Sequence, residues 1–105
     1  NIATDYGPYP TAALDTTKEH FDSLLKDPDS AKYRVQSCVK AYANDGLIYG
    51  GVVSWTGWAC YVTINAKNSY GGFTGAKPYT LMLNADGSVW KHIEGHSHVL
   101  LKQVR

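Results

Sequence analysis

The stretch Trp58-Ala59-Cys60-Tyr61-Val62-Thr63-Ile64 decides the fold. Trp58, Cys60, Val62 and Ile64 alternate with Ala59, Tyr61 and Thr63, the period of two that marks a strand with two different faces. The segment is expected in mid-sheet. Upstream, Tyr33, Val35, Ser37, Val39 and Ala41 alternate with Arg34, Gln36, Cys38, Lys40 and Tyr42, which predicts a half-buried strand. Between the two, Asn44-Asp45-Gly46 supplies a tight turn, Leu47-Ile48-Tyr49 begins a strand, and Gly50-Gly51 bends or bulges it before Val52-Val53. Downstream, Tyr79–Leu83 and Ser88–Ile93 flank Asn84-Ala85-Asp86-Gly87, a hairpin signal, and 99–104 offers a last strand.

N-terminal to these strands the period is helical. Thr16-Thr17-Lys18-Glu19 has the spacing of a capping box, so a helix is expected to start here. Leu14, Phe21, Leu24 and Leu25 form its core face, and Pro28 ends it near Lys26 with a turn through Asp27-Pro28-Asp29-Ser30. Residues 1–15, with Pro8 and Pro10 among tyrosines, read as an extended arm. One helix followed by strands, without βαβ alternation, predicts an α+β domain: an N-terminal helix packed on an antiparallel sheet of four to five strands.

Composition narrows the function. A chain of 105 residues holds one hydrophobic core, so a single domain over 1–105 is expected. Charged residues at 18% and apolar residues at 44% argue against disorder. Ten Lys+Arg against nine Asp+Glu give +1, too balanced for a nucleic-acid footprint. No apolar run approaches the roughly 18 residues of a membrane-spanning helix, and no signal-peptide pattern opens the chain. The reading is a soluble protein or the mature part of an exported one, with a lipid-anchored precursor as one form of export. Eight Tyr, three Trp, two Phe and ten Gly suit β-structure with tyrosine-rich faces.

Catalytic chemistry has no specific signature. Cys38 and Cys60 fall on opposite faces of a flat hairpin by parity, which counts against a direct bridge, while a bulge in either strand reverses the count. A disulfide and two buried thiols both stay open; neither cysteine has a base beside it. His92, Glu94, His96 and His98 share a parity, and His96-Ser97-His98 has a two-imidazole spacing, but an extended segment cannot converge them without a fold-back at Gly95. Polar residues on a solvated face are the simpler reading, and no metal or other cofactor is expected. No nucleophile elbow, P-loop or G-x-G-x-x-G occurs, and Asp27 and Asp29 read as turn residues, so no enzyme is expected.

The segment Asn65–Gly75 (NAKNSYGGFTG) is the most distinctive. Read structurally, it is an ordered loop leaving a central strand. Read functionally, Tyr70 and Phe73 supply rigid contact area, and Asn65, Asn68 and Lys67 supply direction, with Trp55 and Trp58 as an extension.

Leu25–Tyr33 (LKDPDSAKY) and Asn65–Gly75 together resemble motifs of a group of small exported bacterial proteins, envelope or lipoprotein-like and without assigned activity. The likeness covers the middle half of the chain, from the helix end to Tyr79. It implies a bacterial origin and a periplasmic or secreted location, and it brings no catalytic residues. The expected function is a non-catalytic interaction module with an unidentified protein partner; a binder of cell-wall glycan or peptidoglycan, and a small hydrolase or lysozyme-inhibitor-like protein, are the alternatives.

Overall fold

A computed structural model describes residues 6–44, 53–68, 70–96 and 101–103. They form α1 (Ala13–Asp22), β1 (Asp27–Asn44), β2 (Val53–Lys67), β3 (Lys77–Leu83), β4 (Val89–Glu94) and β5 (Leu101–Gln103). The strands make one antiparallel sheet in the order β4-β3-β2-β1-β5. One helix on an antiparallel sheet is the expected α+β arrangement, and β2 lies in mid-sheet. The β3–β4 hairpin closes as its turn residues require: Asn84 N–H donates to Ser88 O, and Gly87 takes φ +88°. The segment 45–52, to which the sequence assigned a turn, a strand start and a glycine bend, lies outside the described residues, as do His98 and Val99.

The helix departs from its expected frame. It starts at Ala13, without a side-chain cap, so Thr16 and Thr17 lie inside it and do not form a capping box. Their hydroxyls donate one turn back, Thr16 to Ala12 O (3.0 Å) and Thr17 to Ala13 O (2.7 Å). The buried stripe is Ala13, Thr17 and Phe21, at i, i+4 and i+8, while Leu14 (40% exposed) and Leu24 (55%) face away. Phe21 fixes this face, because its ring packs against Tyr79 and His92 at about 5 Å between centroids. The helix also ends at Asp22 rather than Lys26; Leu24 and Leu25 N–H both donate to Phe21 O as the chain turns toward the sheet.

The turn expected at Asp27–Ser30 is instead an irregular opening of β1. Cα pairing jumps from Asp27↔Lys67 to Lys32↔Asn65. Ser30 holds the irregularity, its hydroxyl donating to Asp27 O (2.7 Å) and accepting Lys67 N–H (2.9 Å).

A second irregularity settles the cysteines. Val35 pairs with Val62 and Ser37 with Tyr61, which leaves Gln36 as a bulge residue. Past it the parity of β1 reverses, so Cys38 joins Tyr33 and Val35 on the face under α1, opposite Cys60. The two are disulfide-bonded, with 4.0 Å between Cα atoms. The core under the helix gathers Phe21, Cys38, Cys60, Val62, Leu81 and Leu83. The other face has its own apolar cluster of Ala41, Ala43, Ala59 and Met82 beneath Trp55 and Trp90.

Candidate functional site

The loop between β2 and β3 extends their hairpin, and hydrogen bonds tie down Asn68, Tyr70, Gly71, Gly72, Thr74 and Gly75. Asn68 carries most of the load. Its N–H donates to Gly72 O (2.8 Å), its Oδ1 accepts N–H from Tyr70 (2.9 Å) and Gly72 (3.2 Å), and its carbonyl accepts Gly71 N–H. Gly71 (φ +82°) and Gly75 (φ +91°) supply the left-handed turns that these bonds require. Asn65 Oδ1 accepts Gly75 N–H (3.1 Å), and Thr74 donates to Ala66 O through both its N–H and its hydroxyl. Local side-chain bonds of this kind replace the ladder that the loop lacks.

The result is a firm platform for two rings. Tyr70 stands at the tip, 95% exposed. Phe73 bridges to Lys67 and is 44% exposed, with the ammonium groups of Lys32 and Lys67 at 4.9 and 5.7 Å from its ring centroid. These cation–π contacts hold the ring on the surface. The strand β2 continues through Asn65 and Lys67, which the sequence placed in the loop, so the end of β2 and the loop together bring up Asn65, Lys67, Asn68, Tyr70 and Phe73. Asn65 and Asn68 spend their side-chain carbonyls on the backbone and act as struts.

Trp55 and Trp58 stand apart from this group. They lie toward the other end of β2, on the order of 30 Å away at about 3.3 Å per residue. Trp55 is buried (5% exposed) and stacked on Trp90 at 5.3 Å; its Nε1 has no hydrogen-bond partner among the described residues. Trp58, on the helix face, packs edge-on against Tyr9 and donates from Nε1 to Gly7 O (3.2 Å), so it anchors the N-terminal arm to the sheet.

The histidines divide. His92 meets His20 of α1, Nε2 of His20 lying 2.8 Å from Nδ1 of His92, within a cluster that includes Phe21 and Tyr79. Burial first and His92 second hold His20 below the ordinary imidazole range. Gly95 takes φ +86°, and His96 turns back to place Nε2 2.9 Å from Val62 O. Among the described residues, no three His, Cys, Asp or Glu side chains come together in a metal-binding group. The His20 partnership had no signature in the sequence, since 72 positions separate the two residues. Lys32 was likewise missed, because its contact with Phe73 depends on the irregular pairing of β1. Burial and, secondarily, the Asp22 carboxylate raise the Tyr33 phenol above its usual range on the helix side of the sheet.

Compared with known proteins, the chain matches no family model, no curated protein and no solved structure.

Proposed function

We propose that the chain is a non-catalytic interaction module, exported from a bacterial cell, that contacts a protein partner through the β2–β3 loop with Tyr70 at its tip. The observation that carries the reading is the near-complete exposure of Tyr70 on a loop whose backbone is held by Asn65, Asn68 and Thr74. Exposing a large ring to water forgoes burial worth about 1.5–3 kcal/mol, and a prepaid loop ordering lowers the entropy cost of docking. Phe73 and its two flanking ammonium groups give the contact an aromatic and cationic character suited to a partner with carboxylates around an apolar patch.

Export is supported by the Cys38–Cys60 disulfide, since such bonds persist mainly in oxidising compartments, and by the resemblance of the two quoted motifs to envelope proteins. No helix of the described chain is long and apolar enough to cross a membrane. The glycan reading calls for exposed Trp and Tyr as stacking platforms; Tyr70 meets it, but it draws less support because Trp55 is buried.

A photo-crosslinking residue placed at position 70 or 73 in the native host tests the proposal, with exposed positions 18 and 86 as controls. One defined partner is expected from 70 and 73 only, and Tyr70→Ala with Phe73→Ala should abolish it at unchanged melting temperature. Equal labelling from all four positions, or variants that merely unfold, would assign the loop a structural role.

A further inference from the structure

A second feature lies on the helix side of the same strands. Beneath the last turn after α1, a cleft of about 310 Å³ opens against the ends of β2 and β3. Its size is at the small end of the roughly 300–1,000 Å³ typical of ligand sites. Leu25, Ile64 and Tyr79 line it, and Leu24, more than half exposed, extends the apolar wall to the surface. Lys26, between α1 and β1, Lys67 at the end of β2 and Lys77 at the start of β3 also line it. No Asp or Glu is among the described lining residues; Asp27, the register partner of Lys67, and Glu94, that of Tyr79, are outside it, and Asp22 on this side acts on Tyr33. An apolar floor lined by three ammonium groups and by no carboxylate among the described residues is complementary to one kind of guest, an alkyl chain carrying a negative head.

We infer that this cleft binds a single-chain anionic amphiphile, with its head between Lys26 and Lys77 and its chain along Leu24, Leu25, Ile64 and Tyr79. The head is a carboxylate or a phosphate, since lysine ammonium groups act as point charges that accept either. The small volume suits one chain and excludes a folded peptide. The site does not rest on Tyr70 as a partner contact, because Tyr70 lines no part of it.

Calorimetric titration of the intact, disulfide-bonded chain with decanoate and with decyl phosphate tests this, and comparing the two identifies the head. Saturable one-to-one binding of at least one is expected, with acetate, decanol and decyltrimethylammonium weaker by about tenfold or more. Lys26→Glu with Lys77→Glu, both exposed and so neutral for folding, should weaken the anionic ligand by about tenfold or more, and Tyr70→Ala should leave it unchanged. In the unaltered protein, affinity should fall as salt is raised, because a partly exposed ion pair is screened. The site is overturned if neither anionic ligand saturates, if decyltrimethylammonium binds as well, or if the double charge reversal or added salt changes nothing. The crosslinking result at position 70 is independent of each of these outcomes.

Discussion

Cys38 stands directly across from Cys60 because Gln36 takes an extra place in β1. The bridge closes a loop of sequence separation 22, which corresponds to about 3 kcal/mol on the chain-entropy estimate. Reduction, or Cys38→Ala with Cys60→Ala, should lower the unfolding free energy by about that amount and steepen the denaturant slope, because the unfolded chain is no longer crosslinked. Deleting Gln36 should do more. It restores an uninterrupted alternation and turns Cys38 away from Cys60, so thiol titration under denaturing, non-reducing conditions should then find two free thiols.

Phe21 and Leu14 test the face of the helix. Phe21 is 2% exposed at the centre of the helix–sheet contact, so Phe21→Ala should cost about 3–5 kcal/mol. Leu14→Ala should stay within about 0.5 kcal/mol, as for other surface changes. Equal losses in chemical denaturation would restore Leu14 to the core face on which the sequence placed it with Phe21.

Gly57 has no room for a methyl group. A Cβ there would overlap the Leu83 carbonyl oxygen and press on the Trp55 ring. Gly57→Ala should destabilise the protein by about 1–3 kcal/mol, the usual range for overpacking, and a melting curve measures it.

His20 predicts a pH dependence with a definite sign. Its folded form resists protonation, so the unfolded chain takes up the proton first as pH falls below the ordinary value of about 6.5. Stability should be full above that pH, decline below it, and level off once the folded imidazole is also charged. Denaturant midpoints from pH 8 to pH 5 would show the slope. His20→Asn should flatten it, and His92→Phe should reduce it without abolishing it, because burial is the larger cause.

Asn68 holds the loop from its centre. Asn68→Ala removes two hydrogen bonds from its Oδ1, each worth about 0.5–1.5 kcal/mol, and should speed amide exchange at Tyr70 and Gly72 before it shifts the global melting temperature.

Alternation in Trp58–Ile64 made β2 legible, and turn chemistry at Asn84–Gly87 made the β3–β4 hairpin legible. Both signals are local. The helix was legible as an element but not in its frame: Phe21 and Leu25 meet the core as expected, but Thr16 and Thr17 carry the residue types of a cap, and only packing against the sheet sets Ala13 and Thr17 beside Phe21 in place of Leu14 and Leu24. Parity raised the right question about Cys38 and Cys60, yet Gln36 bears no mark of a bulge residue. The aromatic and glycine content of the loop pointed to Tyr70 and Phe73. Lys26 and Lys77 escaped notice because their shared cleft exists only after helix end and sheet meet.

The Cys38–Cys60 crosslink sits near mid-span of the two longest strands. A covalent pin there divides the ribbon into two arms, so unzipping that begins beside Lys67 halts before it reaches Trp58. A docking event that pries at the tip can thus be absorbed in one arm, while the other keeps its grip on the N-terminal segment.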